Sequence, residues 1–272
     1  MPDLDPPKAS VLLSSMRVDP WLRGPLESIL NDGYPNIEVI LLLDGMKVPP
    51  SDAWLRDQRV TLVPIGLRVG IARGLNIGLE MATGDLVARM DADDISLPGT
   101  FRAHVDFLLA NSRVVVVRCQ AIRIDEHEVP TDVRARLTHE TAIKRRLLTR
   151  NPLTHPSIMF RKSAVLEVGG YNTTAATLED SDLYVRPADK YESANLPATF
   201  LNYREHSDQK SRAFNPFSYG EWDFVHRRPQ LARTMKVPLD EQLKRYTPWC
   251  GAQITPLSSS KRVTMSRKHK FF

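Results

Sequence analysis

The chain has 272 residues, 42% of them hydrophobic and 25% charged, with 37 Lys and Arg against 32 Asp and Glu and a formal net charge of +5. That balance excludes a collagen-like, a disulfide-scaffold or a wholly disordered chain, and the length suits one large α/β domain or two small ones. The surplus charge is local: residues 258–272 hold Lys261, Arg262, Arg267, Lys268 and Lys270 and no acid, which leaves residues 1–257 with 32 charges of each sign. Two distant cysteines, Cys119 and Cys250, argue against a disulfide framework or a thiolate zinc site. Met1-Pro2-Asp3-Leu4-Asp5 lacks the basic start and apolar run of a secretion signal. The longest apolar runs, residues 39–43 and 114–117, fall far short of the ~20 residues of a membrane span. The expected setting is cytoplasmic, soluble or peripheral.

In chain order, residues 11–13 read as a strand. Pro20 opens a helix with Leu22, Leu26, Ile29 and Leu30 on one face, Asp19 as its N-cap and Gly33-Tyr34-Pro35 as its stop. Residues 37–43 are continuously apolar up to Asp44-Gly45, which suits a strand buried on both faces. Residues 60–63 repeat that pattern, 70–82 are helical, 86–90 a strand, 98–109 helical and 114–117 another buried strand. Residues 238–246 are expected to form a short helix. The alternation predicts an α/β fold with a mostly parallel sheet, joined by right-handed crossovers and flanked by helices.

Ligands of such sheets bind beyond the carboxyl ends of the strands. Ser14-Ser15, Asp44-Gly45 and Asp91-Ala92-Asp93-Asp94 stand there. Three acids at one strand end repel one another unless a cation or hydrogen-bond donors offset them, and a hard divalent ion bridging to phosphate is the natural partner. The triplet alone fits a cation site and an acidic loop capping the helix that Pro98 begins equally well. Other phosphate chemistries are excluded: residues 14–21 contain no glycine, which removes a dinucleotide fingerprint, and no Walker loop occurs.

Leu26-Glu27-Ser28-Ile29-Leu30, Tyr34-Pro35-Asn36-Ile37-Glu38, Leu43-Asp44-Gly45 and Gly70-Ile71-Ala72 with Leu75-Asn76-Ile77-Gly78-Leu79 follow in order. Gly84-Asp85-Leu86-Val87-Ala88-Arg89-Met90-Asp91-Ala92-Asp93-Asp94-Ile95-Ser96-Leu97-Pro98 comes next, then Asn151-Pro152 with His155-Pro156-Ser157, Gly169-Gly170-Tyr171-Asn172, Glu179-Asp180 with Asp182-Leu183, and Asn195-Leu196-Pro197. In this order and spacing, residues 9–212 resemble the inverting family 2 glycosyltransferases of bacterial exopolysaccharide and lipopolysaccharide synthesis. The resemblance implies a GT-A type fold, a mostly parallel Rossmann-like sheet flanked by helices with a smaller acceptor-side subregion. Residues 1–118 would form the nucleotide-sugar-binding half, 119–212 the acceptor-side half with the catalytic base, and 213–272 a C-terminal extension with the basic tail.

The resemblance implies transfer of a sugar from a nucleotide-diphosphate donor, a UDP-sugar foremost, to a glycan or lipid-linked acceptor. Asp180 of the Glu179-Asp180 pair would be the catalytic base at a helix N-terminus. Ser14, Asp44, Asp91 and Arg68 would bind the donor, although Asp44 also suits an Asp-Gly turn and Arg68 a solvent-facing position. Asp93 and Asp91 would hold Mn²⁺ or Mg²⁺, with His206 reaching the metal or diphosphate unless it is an exposed loop residue. Asp94 would support the loop and cap the helix at Pro98. His155, Gly170 and Tyr171 would lie on the acceptor side, His155 alternatively as a buried histidine bonded to backbone. Met16 stands where the family has an aromatic residue, Arg68 where it has Asn, and Ser181 and Pro187 depart within the helix of Asp180, which Pro187 should end or kink near Arg186. These departures raise the alternative of a catalytically impaired nucleotide-sugar-binding partner in assembly. The tail suits contact with an anionic membrane face or a solvated terminus, and nucleic acid is not expected as a partner.

Overall fold

The structure is a computed structural model that describes residues 5–133, 138, 140–148, 153, 155–175, 178–188, 190–206 and 231–237. The helix expected at 238–246 and the basic tail lie outside them. In chain order the elements are β1 (Ala9–Ser15), α1 (Pro20–Leu30), β2 (Ile37–Asp44), β3 (Val60–Ile65), α2 (Ile71–Met81), β4 (Leu86–Asp91), β5 (Ile95–Ser96) and α3 (Thr100–Ala110). They continue with β6 (Val114–Ile124), β7 (Pro130–Val133), α4 (Glu140–Leu147), β8 (Ile158–Arg161), α5 (Lys162–Glu167), α6 (Glu179–Val185) and β9 (Glu192–Arg204).

Local chemistry explains the helix starts. The Asp19 carboxylate accepts from the N–H groups of Trp21 (3.0 Å) and Leu22 (3.3 Å), donors that have no partner inside α1. Leu22, Leu26 and Ile29 then recur on one face and are buried, each worth roughly 1.5–3 kcal/mol. On α2, Gly78 lets the helix lie against β1: a Cβ there would stand 2.9 Å from a methyl of Leu12. The helix expected from residue 98 begins at Thr100 instead, because Gly99 turns the backbone to φ +84° just before it.

The sheet runs β3-β2-β1-β4-β8-β6-β9-β5, with β7 paired to β6. β3, β2, β1 and β4 are mutually parallel, and β6 is parallel to β9. β8 is antiparallel to both β4 and β6 and joins the two parallel groups. The chain moves outward from β1 to β3 and then crosses back to lay β4 on the other side of β1. That reversal opens a crevice at the carboxyl ends of β1 and β4, where Ser14 is in register with Asp91. β6 extends well past its apolar run at residues 114–117, because its second half, with Arg118 and Gln120 buried, pairs with β7 and β9.

Two apolar layers cover the sheet. One holds Leu12, Leu42, Val87, Leu75, Leu79, Val165, Tyr171, Leu183 and Tyr184, under α2, α4, α5 and α6. The other holds Leu13, Leu41, Met90, Leu22, Leu26, Phe101 and Val105, under α1 and α3. No helix among the described residues is long and apolar enough to cross a membrane.

Candidate active site

Asp91 ends β4, and the chain turns through Ala92, Asp93 and Asp94 into β5, whose ladder partner is β9 (Ile95 opposite Asn202). That pairing brings the end of β9 beside the acidic loop. Asp94 is fully buried and accepts from the N–H of Arg204 at 2.8 Å. The Arg204 guanidinium donates back to the Asp93 carbonyl (2.9 Å), pairs with Glu128 (2.8 Å) and lies over the Trp21 ring. Two residues on, His206 Nε2 meets Asp93 Oδ2 at 2.8 Å, and its ring stands edge-on to Trp21 with centroids 5.4 Å apart. His206 is therefore part of the acidic site, not an exposed loop residue.

Carboxylate oxygens of Asp91, Asp93 and Asp94 lie within 4.8 Å of one another. Burial pushes the Asp93 carboxyl up, and the Asp91 charge adds to it while His206 opposes it. Asp94 is pushed well above the carboxylate range by burial, then by Asp91 and Asp93. The second oxygen of Asp94 is buried with no hydrogen-bond partner among the described residues. A set of hard oxygen donors, crowded and under-compensated, fits a divalent Mg²⁺ or Mn²⁺. Asp94 does not cap α3. Its bond goes to β9, and Gly99 at the N-cap position of α3 offers no side chain.

One wall of the crevice is built by β1 and β2. Ser14 is half-buried beside Asp91. The buried Asp44 accepts from the N–H groups of Val69 (2.7 Å) and Gly70 (3.2 Å), and so fixes the loop that leads into α2. Arg68 in that loop is exposed and lays its side chain along Gly45, where a Cβ would stand 2.9 Å from the Arg68 Cγ. Met16 is exposed just beyond β1.

The helix α6 begins at Glu179 and ends at Val185, with Arg186 as C-cap and Pro187 outside the helix, which agrees with the stop expected there. Asp180 in its first turn is half-buried and accepts from the N–H of Ser181. Glu179 is buried and its carboxyl is pushed up to about 8, by burial first and the Asp180 charge second. Asn76 of α2 braces the preceding turn, accepting from the N–H of Tyr171 (2.7 Å) and donating to its carbonyl (2.9 Å). Gly170, at φ +70°, makes that approach possible, since a Cβ would stand 2.6 Å from the Asn76 oxygen. Arg186 donates to the carbonyls of Val168 and Gly170 and pairs with Asp182 at 2.7 Å. The Tyr171 hydroxyl meets His155 Nε2 at 3.0 Å. His155 is thus a buried histidine bonded to a side chain, with burial holding its imidazole well below the usual range and the Arg89 charge adding to that.

Arg89 escaped the sequence reading, as did Asn76, Arg186 and the role of Arg204. The one available signal for Arg89 was a cation inside an otherwise apolar strand. The structure buries it, bonded to Asp91 and within electrostatic reach of Glu179. A cation-fitting acidic loop and a carboxylate pair within its electrostatic reach suit group transfer between a charged donor and a hydroxyl acceptor.

Residues 10–169 match the family model described as Glycosyl transferase family 2. The chain is 29% identical over 216 residues to the amylovoran biosynthesis glycosyltransferase AmsE of Erwinia amylovora, across 76% of this chain and 77% of that one. It is 29% identical over 245 residues to the putative glycosyltransferase EpsE of Bacillus subtilis, across 87% and 86%. Over 174 residues it is 29% identical to an Escherichia coli UDP-Gal:alpha-D-GlcNAc-diphosphoundecaprenol beta-1,3-galactosyltransferase, across 61% and 63%. The crystal structure of S. aureus TarS 1–349 superposes with a TM-score of 0.58 at 14% identity, across 88% of this chain and 77% of that one, a likeness of fold. The fold is of the GT-A type. Since the family model spans more than half of its length, and relatives named as glycosyltransferases align across most of it, the chain belongs to glycosyl transferase family 2 and is a glycosyltransferase.

Proposed function

We propose that the chain transfers a sugar from a nucleotide-diphosphate donor to a glycan or lipid-linked acceptor, with inversion and with a divalent metal. The observation that supports this reading best is the Asp91, Asp93 and Asp94 cluster, whose carboxylate oxygens lie within 4.8 Å of one another with His206 bonded to Asp93 beside it. A relative whose name states a UDP-Gal donor and a diphosphoundecaprenol acceptor favours a UDP-sugar and a lipid-linked glycan here.

In this reading Asp93, Asp91 and His206 would hold the metal, which would supply Lewis-acid stabilisation of charge on the leaving diphosphate. Asp44 and Ser14 face the nucleoside, and Arg68 lies where it can meet phosphate. Asp180 takes the proton of the acceptor hydroxyl as that oxygen attacks the anomeric carbon from the side opposite the diphosphate. Its place in the first turn of α6 favours the ionised form that a base needs. Glu179, buried beside it, is held neutral near pH 7, so the pair presents one charge rather than two. Tyr171 and His155 back this turn from within the protein, and Gly170 sets its backbone. Because α6 ends before Pro187, the proline leaves the turn that carries Asp180 intact.

The test is release of nucleoside diphosphate from a panel of sugar nucleotides with Mn²⁺ or Mg²⁺. Asp93→Ala should lose metal-dependent release, and unchanged release would remove the metal assignment. Asp180→Asn should lose transfer while keeping donor affinity, and transfer at the normal rate would remove Asp180 as the base.

A further inference from the structure

The first turn of α1 carries Trp21. Its neighbour Leu22 lies on the buried face of the helix with Leu26 and Ile29, whereas Trp21 is 38% exposed. Burial in the core therefore does not account for an indole at this position. What the ring meets is the end of β9. The Arg204 guanidinium carbon lies 5.4 Å from the indole centroid, within cation–π reach. The His206 imidazole stands at 77° to the indole with centroids 5.4 Å apart, the edge-to-face arrangement that ring quadrupoles favour.

These two residues also hold the acidic loop. Arg204 donates its backbone N–H to Asp94 Oδ1 at 2.8 Å and its Nε to the Asp93 carbonyl at 2.9 Å, and His206 Nε2 meets Asp93 Oδ2 at 2.8 Å. The place of Trp21 is set from its own helix: its N–H bonds the Asp19 carboxylate at 3.0 Å, and Leu22 and Leu26 behind it are buried. An imidazole turns about two side-chain bonds until its neighbours fix it. Asp93 fixes one ring nitrogen of His206, and the indole bounds the ring, so the two contacts together select one orientation.

We propose that Trp21 is a positioning residue of the acidic loop: it seats Arg204 and His206 against Asp94 and Asp93, and it presents the His206 imidazole to the ion site in one orientation. The inference rests on the reading of the acidic loop as an ion site with His206 among its ligands. A group that orients a metal ligand from behind acts on affinity without touching the ion. Phenylalanine would keep a ring at this place, whereas leucine would keep only apolar bulk.

A double-mutant cycle in the full chain tests it, combining Trp21→Leu with His206→Ala. Affinity for Mn²⁺ alone is read from the free-ion signal in electron paramagnetic resonance. Trp21→Leu should weaken Mn²⁺ binding about three- to tenfold, the scale of one aromatic pair, and Trp21→Phe should recover most of that loss. In the His206→Ala background the effect of Trp21→Leu should shrink to about twofold or less, because the ligand it orients is gone. Equal fold losses in both backgrounds, no recovery with phenylalanine, or a folded Trp21→Leu with wild-type affinity would overturn the proposal. If Trp21→Leu does not fold, Trp21→Met enters the same cycle with the same expectations. A second failure to fold would overturn the proposal by showing that the ring is needed for the fold itself. A wild type that binds Mn²⁺ no more tightly than Asp93→Ala would count against the functional reading instead. Hydrogen exchange in the metal-free protein would then decide the role of Trp21 separately. Trp21→Leu should speed exchange of the Arg204 amide about threefold or more, and an unchanged rate would overturn the proposal.

Discussion

Glu179 carries a proton at neutral pH that it would not hold in an unfolded chain. Its folded value is about 8 against an ordinary value of 4.5, so between those limits the folded state binds more protons than the unfolded one. Stability from this group is complete below pH 4.5 and is lost as pH rises toward 8. Glu179→Gln should therefore flatten the pH dependence and raise stability at pH 8 by several kcal/mol, read by urea denaturation at pH 5 and pH 8 without metal. An unchanged slope would show that the carboxyl is ionised in the folded protein. Residues such as Asp19, Pro187 and the Asp91–Asp94 run were legible in the sequence because their effect is local: a cap, a helix stop, a cluster of like charges. Arg89 was not, since only the fold shows that its guanidinium is buried against Asp91. Asn76 was missed for the same reason, its partner Tyr171 lying 95 residues away.

At the scale of elements, the turn before α6 is clamped from α2 and from its own far end. Asn76→Ala removes two hydrogen bonds to buried backbone, and a loss of about 1–3 kcal/mol is expected. Gly170→Ala forces a side chain into a left-handed backbone and against the Asn76 oxygen, and should cost about as much. Combined, the two should cost less than their sum, because Asn76→Ala takes away the oxygen that the methyl group added by Gly170→Ala would strike. Urea midpoints of the three proteins check this, and strict additivity would mean that the two residues do not act on each other. The strand–helix alternation of the first half was readable because its apolar runs and caps are contiguous. The second half was not. The alternation along β9 breaks at Asn195 and Leu196, both buried, and at Pro197 and Ala198, both exposed, and the two-residue β5 carries no pattern of its own.

For the whole molecule, charge is divided between the neutral body and the terminal residues. We propose that the tail draws the enzyme to an anionic membrane face, at about 1 kcal/mol per basic residue near the headgroups. Deleting residues 258–272 should cut sedimentation with phosphatidylserine vesicles at low salt, and undiminished sedimentation would reject that role. In the body, Mn²⁺ should raise the thermal midpoint of the wild type and not of Asp93→Ala, because an ion bound to the native state alone stabilises it in proportion to occupancy. Equal shifts would place the ion elsewhere.

The pairing of β5 with β9 has a consequence for synthesis on the ribosome. The residues of β1 to β4 emerge first and can pair among themselves, yet the acidic loop gains its anchors, Arg204 and His206, about 110 residues later. On the proposed reading, a nascent chain has no finished ion centre until that late strand docks. The growing enzyme is thereby kept from capturing free cations, or its nucleotide, before the surface that receives the acceptor exists.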